Sequence, residues 1–217
     1  MQVVTPAGLV FTEIASGANA NCASTTTGRV YCWGFNDSGQ LGNGNTETSR
    51  VAVAVALPAG VNVRSLSSGS NGYHTCAVTQ DGAVYCWGRN IGGQFGIGSK
   101  LFENTTPVPM PLPAGTKILS SGSGTSSVCL VRANFTLVCL GSGSRGELGT
   151  GSAAEALEPA PVVLPGSATF DVVRGGYMTT CALSRVGELY CWGAGTSGQL
   201  GILPASDART PIRVPLP

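Results

Sequence analysis

Four segments of the chain repeat one pattern, and that repeat constrains the fold more than any other feature. They read NCASTTTGRVYCWGFNDSGQLGNG, TCAVTQDGAVYCWGRNIGGQFGIG, VCLVRANFTLVCLGSGSRGELGTG and TCALSRVGELYCWGAGTSGQLGIL. Their first cysteines, Cys22, Cys76, Cys129 and Cys181, are spaced by 54, 53 and 52 residues, and Cys32, Cys86, Cys139 and Cys191 follow them. A period near fifty built from short strands points to propeller blades rather than to a helical solenoid. No stretch sustains a helical periodicity.

Each unit carries strand signals. TEIASG (12–17), RSLSSG (64–69), KILSSG (117–122) and FDVVRGG (170–176) are read as first strands that end in glycine before a loop. Two apolar strands joined by a tight turn come next, then a glycine-rich loop after Trp-Gly. A proline-flanked β-branched segment closes the unit, as in TTPVPMPLP (105–113) and RTPIRVPLP (209–217). The expected fold is all-β: one propeller-type repeat domain over 1–217, with repeats at roughly 9–58, 59–113, 114–165 and 166–217. Each repeat supplies the four strands of a blade.

Turn geometry pairs the cysteines. The midpoint between Cys76 and Cys86 is Asp81, so a hairpin that sets the two opposite each other needs an odd loop. Gln80-Asp81-Gly82 meets that need, with glycine where a left-handed backbone is required. Gly28 and Gly187 hold the same place in repeats one and four. Repeat three has Phe135 there, which predicts local strain or a shifted turn. Counting outward, the cysteines form a non-hydrogen-bonded pair with Cα atoms about 4.5 Å apart. That is within disulfide range. Each bridge should stabilise the fold by about 2.5–3 kcal/mol in the chain-entropy model. Zinc ligation favours cysteines two to four residues apart, and a redox dithiol the Cys-x-x-Cys spacing; neither occurs here. Buried free thiols in a reducing compartment are the alternative to four disulfides. The disulfides imply an extracellular, cell-surface or periplasmic setting.

The N-terminus shows no signal peptide, so the sequence reads as an internal piece of a longer exported protein. The formal net charge of +1 gives no field to attract nucleic acid or an anionic membrane. No apolar run approaches the length of a membrane span.

The run G-x-V-Y-C-W-G-x-N-x-x-G-Q-L-G at residues 28–42 resembles the repeat of the regulator of chromosome condensation family, and all four units fit its register. The cysteine-bearing variety resembles repeats of exported bacterial proteins. The resemblance implies a β-propeller, typically of seven blades, so these four units would be part of a larger ring, closed by further repeats or by self-association. Repeat three departs from the pattern at Leu140, in place of tryptophan, and Glu147, in place of glutamine. Family members exchange nucleotide on a small GTPase, bind chromatin or block an enzyme with one propeller face, and the fold does not choose among these.

The glycine-rich loops lack the helix and lysine of a phosphate site and are read as turns. Trp33, Trp87 and Trp192 recur at one repeat position, which favours packing between blades. Asn36, Asn104 and Asn134 begin Asn-x-Ser/Thr sequons, matches expected near chance. No acid, base and metal set converges, so no catalytic residue, metal or cofactor is expected. His74, the one histidine, has no nucleophile traceable beside it and resembles a structural position. Variable loops are the better binding candidates. They supply Phe35, Tyr73, His74, Arg89, Tyr177 and Met178. The expected function is a non-enzymatic binding or scaffold module that presents one loop face to a protein or glycan. An intracellular nucleotide-exchange or chromatin-binding relative is the alternative.

Overall fold

The computed structural model describes residue 5 and residues 7–71, 73–100 and 102–215. Gly72, in the loop before His74, and the last two residues of the 209–217 segment lie outside that description. The described strands form four antiparallel sheets, each with its four strands in chain order. Blade 1 holds β1 (Phe11–Ser16), β2 (Ala20–Thr25), β3 (Val30–Gly34) and β4 (Ser49–Ala54). Blade 2 holds β5 (Val63–Ser68), β6 (His74–Thr79), β7 (Val84–Gly88) and β8 (Asn104–Pro109). Blade 3 holds β9 (Ile118–Ser123), β10 (Ser127–Arg132), β11 (Leu137–Gly141) and β12 (Ala156–Pro161). Blade 4 holds β13 (Phe170–Gly175), β14 (Thr179–Ser184), β15 (Leu189–Gly193) and β16 (Ala208–Arg213).

The first strand of each blade packs on the first strand of the next and lines the axis, leaving β4, β8, β12 and β16 as the outer rim. Proline lies within β8, β12 and β16. A residue without an N–H is tolerated on an edge strand and blunts that edge against further pairing. The inner edges face a different problem, because their unpaired N–H and C=O groups are partly buried. Neighbouring blades satisfy them. The Glu13 carboxylate accepts the Leu66 N–H at 3.1 Å, and Arg64 donates to the carbonyls of Ile118 and Leu119 at 2.8 and 2.7 Å. Burial raises the Glu13 pKa, against the opposing pull of that N–H and of Arg174.

The hairpins have the expected register. Cys76 lies opposite Cys86, Ala77 opposite Tyr85 and Val78 opposite Val84, around a three-residue turn in which Gly82 has φ of 89°. Disulfides join Cys22–Cys32, Cys76–Cys86, Cys129–Cys139 and Cys181–Cys191, each with Cα atoms 4.1 Å apart. In blade 3 the turn does not shift. Phe135 itself takes the left-handed backbone, at φ 64°, and its ring stacks under the Arg185 guanidinium at 4.0 Å. One strand limit differs from expectation: Gly122 lies inside β9 rather than ending it. A Cβ there would stand 2.7 Å from the Val173 carbonyl oxygen, so glycine permits β13 to approach closely.

Apolar side chains collect between blades rather than within them. Val30, Leu41 and Trp87 belong to the cluster between blades 1 and 2, and Val78, Phe95 and Leu140 to the one between blades 2 and 3. Leu148, Phe170 and Trp192 belong to the cluster between blades 3 and 4. Among the described residues no fourth cluster joins blade 4 to blade 1, and the blades form an open arc. The tryptophans serve these seams. Trp87 Nε1 donates to the Gln40 carbonyl of the preceding blade, and Trp192 Nε1 to that of Glu147, each at 3.0 Å. Glu147 replaces glutamine without loss of the local turn, because its carboxylate accepts the Arg145 N–H as Gln40 Oε1 accepts that of Ser38.

Candidate binding face

Antiparallel order sorts the loops into two faces. The β1–β2 and β3–β4 loops, and their counterparts in each blade, emerge on one side; the cysteine hairpins and the links between blades emerge on the other. Phe35, Tyr73, Arg89, Tyr177 and Met178 all lie in loops of the first side. The glycine of each Trp-Gly pair explains how they are set. A Cβ at Gly88 would stand 2.3 Å from the Tyr73 carbonyl oxygen, and one at Gly193 2.4 Å from that of Met178. Close approach lets the next residue donate its N–H across the loop: Phe35 to Asn19, Arg89 to Tyr73, Ser142 to Ser126 and Ala194 to Met178, at 2.8–2.9 Å. Each blade therefore presents two adjacent side chains at fixed positions, and their identities differ from blade to blade.

Blade 2 carries the most developed pair. The Arg89 guanidinium lies 5.3 Å from the Tyr73 ring centroid and 4.5 Å from that of Phe102, which is 54% exposed. Its buried Nε has no hydrogen-bond partner among the described residues. The other cations of these loops are occupied: Lys100 pairs with Glu155, and Arg145 binds Asp207 at 2.7 Å. The hydrogen bond from Arg145 holds the Asp207 carboxyl below the usual carboxylate range. Arg89 has no carboxylate partner among the described residues. Stacking between rings removes side-chain freedom that a binding arginine would otherwise lose on contact.

Other positions are placed as follows. Phe35 and Ile91 are exposed, Tyr177 is 68% exposed, and Met178 is half-buried with φ of 57°. A left-handed non-glycine residue costs of the order of 1 kcal/mol, a strain that structures concentrate at working loops. His74 is not on the surface. It begins β6, is fully buried beside Phe95, and neither ring nitrogen has a partner among the described residues. Burial lowers its pKa from 6.5 to about 4, so it belongs to the core as a neutral ring.

Phe102 and Ile91 escaped the sequence reading, since neither holds a repeated position; their one signal was bulk within a loop of small residues. Two of the sequon asparagines have structural work instead of exposure. Asn36 is buried and accepts the Leu41 N–H at 2.9 Å while donating to the Asn45 carbonyl at 3.0 Å, and Asn104 donates to the Gly88 carbonyl at 3.1 Å. Grooves lie on the opposite face. One of about 590 Å³ is bordered by Thr27, Arg29, Tyr31 and Pro58. A second, of about 410 Å³, lies between the link into blade 3 and that blade's strands, bordered by Pro113, Arg132, Val138 and Glu158.

Comparison with known proteins accounts for the repeat. The model of the regulator of chromosome condensation (RCC1) repeat matches residues 27–78, 81–131 and 186–217, more than half of the chain, and a second RCC1 repeat model matches 11–40 and 63–94. The chain belongs to the RCC1 repeat family. The unmatched stretch includes Phe135, Leu140 and Glu147, the RCC1 positions at which blade 3 departs, yet the blade keeps its pairing register. The ultraviolet-B receptor UVR8 of Arabidopsis thaliana is 31% identical over 97% of this chain and 47% of its own length. Human WBSCR16 superposes with a TM-score of 0.87 at 24% identity, over 95% of this chain and 53% of its own. Yeast RCC1 (Prp20) superposes at 0.84 and 24% identity, over 99% and 50%. The chain spans about half the length of each of these, and the two solved structures establish the propeller architecture.

Proposed function

We propose that this RCC1-type arc is a non-enzymatic recognition module of an exported protein, and that its loop face takes a protein partner through the Arg89 cluster. The observation that carries the reading is a guanidinium held between Tyr73 and Phe102 with no carboxylate of its own among the described residues. Arginine and aromatic side chains are the usual anchors of protein interfaces. Protein binding has precedent among the relatives: yeast Prp20 has been solved bound to Kap60, and its binding to Gsp1p and histones is described. The four disulfides support the exported setting. Phe35, Tyr177 and Met178 extend the same face, where a glycan could also stack on exposed rings.

Capture experiments test the site. Immobilised wild-type protein, an Arg89→Ala/Tyr73→Ala/Phe102→Ala variant and a hairpin-face control, Lys117→Ala/Arg132→Ala, are exposed to an extract of the source organism and compared by quantitative mass spectrometry. The reading expects a protein set retained by wild type and control and lost by the loop-face variant. Identical sets from all three would refute it. A thiol count on freshly isolated, denatured protein tests the compartment: none is expected, and eight would favour the intracellular exchange or chromatin reading.

A further inference from the structure

Each third strand ends in a glycine, and the residues that follow it in the four blades are Phe35, Arg89, Ser142 and Ala194. Arg89 alone is charged. We propose, on the reading of its cluster as the contact site, that Arg89 receives a carboxylate: the side chain of one aspartate or glutamate on the protein partner.

Charge sets the first limit. Every aspartate and glutamate side chain of the protein lies among the described residues, and none of the four ion pairs they form includes Arg89. Glu103 follows Phe102 directly, yet makes no ion pair with the guanidinium. Lys100 and Arg145, the other cations in the loops of blades 2 and 3, are held by Glu155 and Asp207. A single positive charge is left to be neutralised. A carboxylate matches it, whereas a phosphate group carries about two negative charges at neutral pH.

Donors set the second limit. Sites for phosphate or for a chain's terminal carboxylate add main-chain N–H groups to the cation. In this loop such groups are already engaged. The Arg89 N–H donates to the Tyr73 carbonyl, that of Gly92 to Gln94 Oε1, that of Gly93 to the Asn90 carbonyl and that of Phe95 to Asn90 Oδ1, at 2.8–3.1 Å. The charged donor that remains is the guanidinium, whose planar fork matches the two oxygens of one carboxylate.

The surroundings favour that pair. Arg89 is half-buried and its Nε is out of water in the free protein, so part of the cost of desolvating the cation precedes binding. Phe102 at 4.5 Å, and Ile91 in the same loop, add exposed apolar surface. An ion pair covered by such surface is stronger and less screened by salt than an open one. The partner's acid is therefore expected beside an aromatic or aliphatic residue. Blade 2 packs between blades 1 and 3, so the elements that frame this site all belong to the chain.

A random peptide library with free C-termini, selected on the full chain and on Arg89→Gln, tests the assignment once circular dichroism shows the variants folded. Wild type should enrich peptides with an aspartate or glutamate next to an aromatic or aliphatic residue. In fluorescence anisotropy these should weaken roughly tenfold or more when the acid is replaced by its amide. Amidation of the C-terminus should change little. Arg89→Lys, which keeps the charge and loses the fork, should also bind them more weakly, and Arg89→Glu should select basic peptides instead. Peptides lost in Arg89→Gln but lacking an acid would overturn the carboxylate assignment and leave the cluster standing as a contact site. Peptides bound equally by Arg89→Gln would take the contact away from the cluster altogether. Affinity that follows the terminal carboxylate would overturn the proposal, as would a selection that enriches nothing; saturable binding of glucuronate in that last case would point to an acidic glycan.

Discussion

Acid should weaken this protein through one side chain. His74 is the sole histidine, is fully buried, and has a folded-state pKa lowered by burial from 6.5 to about 4. In the unfolded chain the imidazole takes up a proton near its ordinary value; in the folded protein it stays neutral down to about pH 4. Above pH 6.5 both states are neutral and the residue adds no pH dependence. As pH falls from 6.5 to 4 only the unfolded state gains the proton, so stability drops, and below 4 the loss levels off. A shift of this size corresponds to about 3 kcal/mol. That is a large share of the roughly 5–15 kcal/mol that holds a typical domain. The assay is urea unfolding with the disulfides intact, at intervals from pH 7.5 to 4, on wild type and His74→Leu. Subtracting the two curves removes the shared contributions of Glu13 and Glu147, whose pKa values burial raises. The difference should grow in favour of the leucine variant by about 1.4 kcal/mol per pH unit through the window. A flat difference, or a folded-state histidine proton resonance that titrates near 6.5, would refute the reasoning.

Three further outcomes are expected. Gly187→Ala adds only left-handed strain, offset in part by lost unfolded-state entropy, and should cost about 1 kcal/mol in denaturant. Gly82→Ala adds a Cβ 2.9 Å from Lys117 Cβ and should cost about 1–2 kcal/mol more; equal costs would deny that the turn is pressed by the next blade. Trp87→Phe leaves the Gln40 carbonyl without a donor, whereas after Trp192→Phe the Glu147 carbonyl keeps the Thr180 hydroxyl at 2.8 Å. The first should therefore be the more destabilising by about 1 kcal/mol. Limited reduction followed by alkylation and peptide mapping should open Cys181–Cys191 before the other three bridges, because Cys181 is partly exposed while the other bridged cysteines are buried.

Local chemistry made the hairpins legible. The ten-residue cysteine interval and Gly82 sufficed to place Cys76 opposite Cys86, because turn length and the two-residue pleat leave one register. The same logic failed to decide between strain and slippage at Phe135; what tips it is the Arg185 stack from blade 4, a contact no local pattern contains. Gly122 was misread as a strand end because glycine signals both a stop and a close approach, and only the position of β13 distinguishes them. Phe35 and Arg89 are singled out by their place after Trp-Gly, and Tyr73, Tyr177 and Met178 by theirs in variable loops, but Phe102 reaches Arg89 by loop folding that has no periodic trace. His74 enters the candidate set by its place at the end of a variable loop. Its depth depends on Phe95, in the glycine-rich loop of the same blade, and on Gly69, where a Cβ would stand 2.5 Å from the imidazole.

At every seam some of the hydrogen bonds reach main-chain atoms: Val63 to the Gly28 carbonyl, Trp87 to that of Gln40, Glu13 to the Leu66 N–H, Arg64 to two carbonyls of β9, and Trp192 to the Glu147 carbonyl. A repeat that addresses its neighbour's backbone need not know its neighbour's side chains. Such a unit can be copied, and its exposed loops rewritten, without a matching change next door. Blade 3 has already lost its tryptophan and its turn glycine and still stacks on both sides. Drift is thereby uncoupled from assembly, and the loop face is left free to diversify one blade at a time.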